Sequence, residues 1–267
     1  EKQKIIINRR IRNHITRITG SSSTYLALYL VYAIYICFGS ISKKASNFLN
    51  SITISLIIFF VSWLFFLGSR ISIVSALVLP IMFVLFIKTN TAIRKKFFFG
   101  IAISLFGLLV FNSTVKERFQ EIRSENFNLN KSKSDYNSIE TRLGIYLCST
   151  KIILENRLIG VGVGDTRDSL QKCYDENLVS KVYKWNYYNT HNQYLHFFLA
   201  AGIMGFFSYL LSLSYQLFQA IKAKKQHQLF IVTLLIIFSL TENILLRNDG
   251  ILFYSIFTSI TFFNDEK

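Results

Sequence analysis

The stretch FLNSITISLIIFFVSWLFFL, residues 48–67, carries no charged side chain along its whole length. An α-helix rises about 1.5 Å per residue, so this stretch is long enough to cross the roughly 30 Å hydrocarbon core of a bilayer. The chain repeats such apolar blocks, and it is 51% hydrophobic with 26 Phe, 14 Tyr and a single Pro. Helices inside a soluble core do not need this length repeatedly. We therefore predict an all-α, polytopic membrane protein.

Hydropathy divides the chain into seven apolar blocks, each interpreted as one transmembrane helix. The blocks cover residues 25–41, 48–67, 71–87, 97–111, 194–221, 229–246 and 251–263. They predict four transmembrane helices within 21–111, a large and mostly helical polar loop at 112–190, and three transmembrane helices within 191–267. Residues 1–20 form a basic loop ahead of them. Because the sequence starts at Glu1 without a signal peptide, we expect the end of a longer protein with further helices upstream.

The short basic loops predict the orientation, because positive charge in short loops marks the cytoplasmic side of a membrane protein. Lys43 and Lys44, the cluster at 88–96 and the lysines at 222–225 fall on alternate turns. The 112–190 loop then lies on the outer face, and its acidic and basic residues are nearly balanced. The formal net charge of +15 is therefore mainly a topology signal. We expect membrane lipids but no nucleic acid among the partners.

The three cysteines differ in their surroundings. Cys37 lies inside the first apolar block, where we expect it to be inert. Cys148 and Cys173 lie in the polar loop and could pair if that loop faces an oxidising compartment. Two free thiols are the alternative.

Two arginines on the predicted outer side are candidate phosphate ligands, because a guanidinium offers a planar fork of hydrogen-bond donors. Arg70 lies between the second and third blocks, and the alternative is that it extends into the lipid headgroups. Arg142 begins a mostly apolar stretch that continues to about Asn156, which we predict to be a helix on the membrane surface. A solvated arginine near Glu140 is the simpler interpretation of that residue.

His191 opens the fifth apolar block and is the candidate catalytic residue. Gly202 and Gly205 follow at spacings close to three and four helical turns, so we predict that all three share one helix face. Small residues on that face would let a neighbouring helix approach closely. A neutral imidazole at the outer end of this groove could accept a proton from a hydroxyl group. A histidine that only orients the helix start is the alternative.

The sixth block ends in Thr241-Glu242-Asn243, with Arg247 shortly after it. A carboxylate inside the membrane boundary needs a cationic partner, and we expect Arg247 or Arg70 to serve Glu242. The pair could be structural or could support catalysis. The glycine run at 160–164 lacks the lysine of a phosphate-binding loop, so we interpret it as a chain turn. No metal-ligand spacing occurs, and we expect no metal and no other cofactor.

With these residues identified, the chain resembles the C-terminal half of the bacterial O-antigen ligase and O-antigen polymerase family. His191-Asn192, followed after nine residues by Gly202 and after two more by Gly205, matches the ligase signature of that family without a gap. Several shorter stretches also resemble the family: Ser69-Arg70, Arg142 with Asn156–Gly162, Thr241-Glu242-Asn243, and Tyr25–Leu30. The similarity extends over nearly the whole chain.

The resemblance implies transfer or polymerisation of an undecaprenyl-diphosphate-linked glycan onto a hydroxyl acceptor on the outer face of the bacterial inner membrane. It implies a metal-independent, inverting glycosyltransferase in which Arg70 and Arg142 bind the diphosphate and His191 activates the acceptor. Asn192, Glu242 and Arg247 are supporting candidates. The acceptor would be a lipid A-core sugar for a ligase, another lipid-linked glycan for a polymerase, or a protein for an O-oligosaccharyltransferase.

Two alternatives come from other classes of protein. An anion transporter, for example for bicarbonate, should place charged residues near the middle of the membrane, whereas here they gather at one face. A purely structural membrane bundle would not account for a large outer loop beside the histidine motif.

Overall fold

The computed structural model describes residues 14, 17–41, 46–67, 71, 136 and 138–263, and every regular element among them is helical. In chain order these are α1 (Ser23–Ser40), α2 (Asn47–Leu67), α3 (Ser138–Glu155), α4 (Thr166–Asn177), α5 (Val182–Trp185), α6 (Gln193–Lys222), α7 (Gln226–Ser239), a 3-10 turn (Ile244–Leu246) and α8 (Asn248–Phe263). The described part agrees with the predicted all-α class.

Three described helices, α1, α2 and α6, are long and apolar enough to cross a membrane. They coincide with the first, second and fifth apolar blocks, and α7 is a shorter apolar helix. The third and fourth blocks and Arg70 lie outside the described residues. The structure is thus that of a helical membrane protein, while the count of seven crossings, the domain limits and the outer position of the loop stay predictions.

The chain forms two compact units, and α7 and α8 contribute residues to both. In the first unit, α1 packs against α2 and buries several aromatic rings. Tyr35 stacks on Phe230 with ring centres 3.7 Å apart, and Tyr32 meets Phe257 edge to face at 4.6 Å. Such pairs add to the free energy of packing beyond the area that they bury.

The second unit is built around the α3–α4 pair, which also packs against α6. Its core consists mainly of aliphatic and tyrosine side chains, including Ile145, Leu170 and Leu199. Cys148 of α3 and Cys173 of α4 form a disulfide inside this core, so the pairing that the sequence left open is present. A cross-link between residues 25 apart restricts the unfolded chain and stabilises the helix pair by about 3 kcal/mol.

Helix α6 is kinked at Ala201 and Gly202, which have non-helical backbone angles. Gly202 has φ +62° and ψ −154°, a combination that is essentially restricted to glycine. The part after the kink, from Ile203 to Lys222, is still long enough to cross roughly 30 Å of hydrocarbon by itself. The preceding turns from Gln193 belong to the second unit as well, but they follow a different direction.

The kink corrects the predicted role of the two glycines. His191, Gly202 and Gly205 do not share one helix face, because the helix begins only at Gln193 and is interrupted at Ala201 and Gly202, between His191 and Gly205. The group that approaches Gly202 is the carbonyl of Leu158 in a chain turn, not a neighbouring helix. Gly205 lies against the Phe197 carbonyl of its own helix, where a Cβ atom would come within 2.7 Å of the oxygen.

A chain turn at Arg157–Gly162 closes the kink through backbone hydrogen bonds. The amides of Val161 and Gly162 donate to the carbonyls of Leu199 and Ala200, each at 2.9 Å, and the Ile203 amide donates to the Arg157 carbonyl at 2.8 Å. The glycine run that begins here is therefore a turn, as predicted. Its first amides are used within the protein, which leaves little of the donor set that a phosphate loop needs.

The sixth apolar block differs from the prediction of one helix to residue 246. Helix α7 ends at Ser239, and the chain then passes through Thr241, Glu242 and Asn243 into the 3-10 turn. Polar groups at these positions bond to other parts of the second unit instead of continuing the helix, as described below.

The kink generates a stability prediction. Gly202→Ala should lower the free energy of unfolding by at least about 2 kcal/mol, because alanine is strained at this backbone conformation and its methyl group would meet the Leu158 carbonyl. The measurement is thermal unfolding in detergent. Gly39→Ala in α1 is the matched control, since a Cβ there meets nothing within 4 Å. An unchanged melting temperature for Gly202→Ala would contradict the kinked helix.

Candidate functional site

Arg142 lies in the first turns of α3, where other parts of the second unit fix both its backbone and its guanidinium. The hydroxyl of Tyr183 donates to the Thr141 carbonyl at 2.8 Å, which anchors this turn of the helix. Nη1 of Arg142 donates to the Thr241 carbonyl at 3.4 Å. The side chain is partly buried. These contacts hold the guanidinium in one place while leaving several of its five N–H donors for other partners.

His191 lies in the loop before α6 and has a left-handed backbone with φ +45°. Its amide donates to Oδ1 of Asn189 at 3.0 Å, a local bond that supports this conformation. Non-glycine residues rarely adopt positive φ, and such strain is concentrated at functional sites. The loop therefore presents the imidazole in a direction that an ordinary helix start would not give.

Asn192 fixes the start of α6. Its Oδ1 accepts from the Leu195 amide at 3.0 Å and caps the helix, while its Nδ2 donates to the Leu240 carbonyl at 3.1 Å. A second polar link lies beside it, where the buried Thr190 hydroxyl bonds to the Asn243 amide group. The histidine loop is thus tied on both sides to the chain that follows α7.

Glu242 bridges the two candidate residues. Its Oε1 lies 3.7 Å from Nη2 of Arg142, and its Oε2 lies 3.5 Å from Nδ1 of His191. The carboxylate is partly buried, so its interactions are screened less than those of a surface ion pair. Nδ1 of His191 is buried and makes no hydrogen bond with any described residue, although Oε2 of Glu242 lies 3.5 Å from it. Loose contacts of this kind are common at sites without substrate.

A cavity of about 350 Å³ opens beside these groups, which is within the range of small-molecule sites. Arg142 and His191 both line it. The remaining lining residues are three with polar groups and two aliphatic ones: Tyr136, Thr141, Tyr188, Ile145 and Val182. The cavity thus combines a cation, an imidazole and hydroxyl groups with the apolar side chains of Ile145 and Val182.

Tyr188, which lines the cavity, and two buried tyrosines near it remain neutral. Burial raises the pKa of Tyr174, Tyr183 and Tyr188 above the ordinary value, and neighbouring tyrosines raise the first two further. Tyr183 stacks on Tyr174 at 4.7 Å and meets Tyr188 edge to face at 5.8 Å. Tyr188 lies 6.1 Å from the His191 ring. At neutral pH these phenols act as hydrogen-bonding and packing groups, not as charges.

The structure brings together Arg142, His191, Asn192 and Glu242 from the predicted site. Glu242 contacts Arg142, a partner that the sequence did not suggest, and Arg247 is exposed at the end of the 3-10 turn. Arg70 cannot be assessed because it lies outside the described residues. Among the described residues, no group of three or more His, Cys, Asp or Glu side chains is arranged to hold a metal ion.

Sequence reasoning missed several residues of this site. Tyr136 and Tyr188 line the cavity, Tyr183 packs against Tyr188, and Thr190 connects the histidine loop to Asn243 after α7. An unusual density of tyrosine between 183 and 188 in an otherwise polar loop was the available signal for the first group.

Comparison with known families agrees with the resemblance in the sequence. A profile of the O-antigen ligase family matches residues 54–210, which is more than half of the chain and includes Arg142, His191 and Gly202. A search of curated proteins finds no match. Members of this family transfer or polymerise glycans, and the apolar helices agree with a membrane location. The chain therefore belongs to the O-antigen ligase family.

Proposed function

We propose that this protein transfers a glycan from an undecaprenyl-diphosphate carrier to a hydroxyl group of an acceptor, on the outer face of the bacterial inner membrane. The observation that carries the proposal is that Arg142 and His191, far apart in sequence, line one cavity and are bridged by Glu242. A cation for the leaving group and a base for the attacking group are the two functions that this reaction requires.

Arg142 binds the donor diphosphate in this proposal, together with Arg70. When the bond between the sugar and the diphosphate breaks, the diphosphate gains negative charge. A guanidinium that is already oriented stabilises this charge more in the transition state than in the ground state. Fixation by the Thr241 carbonyl and Glu242 means that little reorganisation is needed at that moment.

His191 acts on the acceptor side. The acceptor oxygen attacks the anomeric carbon, the bond to the diphosphate oxygen breaks, and the hydroxyl proton passes to the imidazole. Because Nδ1 faces Glu242, Nε2 is the ring nitrogen assigned to this proton. Attack from the side opposite to the leaving group inverts the configuration of the sugar. The acceptor can be a lipid A-core sugar, another lipid-linked glycan or a protein, since all three supply a hydroxyl.

Glu242 and Asn192 support the two reacting residues without touching the substrate. Glu242 orients both the imidazole and the guanidinium. Carboxylates orient metal-ligating histidines in the same way in metalloproteins. Asn192 holds the start of α6 against the Leu240 carbonyl. Arg247 is a more distant supporting candidate.

The disulfide supports the outer location that we propose for the site. Disulfides persist in oxidising compartments and are rare where thiols are kept reduced. Cys148 lies on the same helix as Arg142, so the helix that carries the diphosphate ligand also carries the cross-link.

His191→Ala should lower the rate of product formation by about 100- to 10,000-fold, while donor binding persists because the base acts only on the acceptor. The assay is transfer from purified undecaprenyl-diphosphate glycan to each acceptor class in detergent, with and without EDTA. EDTA should have no effect. His227→Ala, at an exposed histidine of α7, is the control and should keep full activity.

Three results would contradict this assignment. Retained turnover in His191→Ala would reduce the residue to a structural role at the helix start. Loss of activity with EDTA that a divalent ion restores would require a metal site. Passage of an anion across sealed vesicles, with no transfer to any acceptor, would favour a transporter.

Arg142→Lys should lower the transfer rate by at least about 100-fold, because an ammonium group cannot reproduce the planar, bidentate contact with phosphate. Donor binding should weaken in the same variant. Arg167→Lys is the matched control, since Arg167 is exposed and its guanidinium lies over Tyr187. Full activity in Arg142→Lys would leave only a general electrostatic contribution at this position.

Glu242→Gln should lower kcat by about 10- to 100-fold without weakening the binding of the donor. The imidazole loses its charged orienting partner, while Arg142 loses a neighbouring negative charge that competes with the diphosphate. Separate measurement of kcat and of donor affinity distinguishes this positioning role from a structural one. Weaker donor binding with unchanged kcat would place Glu242 among the donor contacts.

A further inference from the structure

The turn that closes the kink of α6 exposes a group of large apolar side chains. Leu154, Leu158, Ile159 and Val163 are 71%, 69%, 83% and 72% exposed, and we call them the apolar turn surface. The backbone between them is held at Arg157, Val161 and Gly162 by hydrogen bonds to Ile203, Leu199 and Ala200, so the turn does not depend on burial of these side chains. Contiguous exposed apolar side chains are unusual on a water-facing surface and mark an interaction site.

The position of this surface identifies what covers it. The Ile203 amide donates to the Arg157 carbonyl, so the turn lies at the first residue of the part of α6 that is long enough to cross a membrane. The α6 side chains just beyond this bond, Met204 and Phe207, are also exposed, at 75% and 51%. The apolar turn surface therefore continues onto the wall of a candidate membrane helix, whose natural surroundings are lipid acyl chains.

Two further features favour lipid over a protein partner. Arg157 is exposed at the edge of the turn, where a guanidinium can reach lipid headgroups while the neighbouring apolar side chains enter the bilayer. Leu158 and Ile159 also lie within the turn itself, and exposed apolar side chains on a turn can enter a fluid layer without displacing a helix.

We propose that the apolar turn surface inserts into the lipid bilayer beside the start of the α6 span. It anchors the end of α3 and the start of α4 in the membrane. The first turns of α3, with Arg142, stay at the polar cavity. This inference rests on the membrane character of the chain and does not depend on the proposed glycan transfer.

Site-directed spin labelling of the full chain in vesicles of phosphatidylethanolamine and phosphatidylglycerol tests the proposal. Cys37→Ser removes the one cysteine outside the disulfide, and Ile159→Cys then carries the label. Collision rates are measured with oxygen, which concentrates in the bilayer, and with a water-soluble nickel chelate. Lys181→Cys is the control, because it is exposed near Tyr183, whose hydroxyl bonds to Thr141 at the opposite end of α3.

The label at 159 should collide several-fold more often with oxygen than with the nickel chelate, and the label at 181 should show the reverse preference. A label at 163 should follow the one at 159. Preference for the nickel chelate at both turn positions would show that the surface faces water and would overturn the proposal. Protection from both reagents would overturn it as well, because a protein segment would then cover the turn. Glycan transfer is not part of this readout, so its loss or retention leaves the result unaffected.

Discussion

The backbone conformation at Gly202 determines how the described helices of the second unit are arranged. An uninterrupted helix from Gln193 would carry the histidine loop away along the axis of the span, but the kink separates the first two turns from the rest. The break leaves carbonyls of Leu199 and Ala200 without their helical donors, and the turn at Arg157–Gly162 supplies them. Satisfying these groups fixes the end of α3, and the disulfide fixes its middle.

The start of α3 is positioned by a different set of contacts. Tyr183 bonds to the Thr141 carbonyl, and the guanidinium of Arg142 reaches the Thr241 carbonyl and Glu242. Since both ends of α3 are fixed, the distance between Arg142 and His191 is set by these contacts and by Glu242 between the two side chains. Most of this network consists of neutral groups, because burial keeps the surrounding tyrosines protonated. The charges of the site are thereby limited to a few residues whose partners are defined.

The sequence predicted the helical class and the long apolar helices α1, α2 and α6, and it singled out Arg142 and His191, which line one cavity in the structure while their roles stay predictions. Hydropathy and residue chemistry are local signals. It did not predict the kink, since a glycine spacing of helical length fits a straight helix and an interrupted one equally well. Only the tertiary approach of the Leu158 carbonyl distinguishes them. The contact of Glu242 with Arg142 was missed for the same reason. Arg247 is close in sequence, whereas the contact with Arg142 depends on how α3 packs.

A carboxylate beside a proposed phosphate ligand opposes anion binding, since Glu242 partly neutralises Arg142. The absence of Glu242 would be worse, because a partly buried guanidinium without a partner carries a desolvation cost and moves toward any available anion. In the proposed reaction, Glu242 would keep the cation in place before the donor arrives, and the long contact of 3.7 Å with Arg142 would leave room for a stronger anion to compete. The same carboxylate, 3.5 Å from Nδ1 of His191, would face a positive charge once the imidazole gains a proton. Its position between the two residues would let it interact with either of them during the reaction.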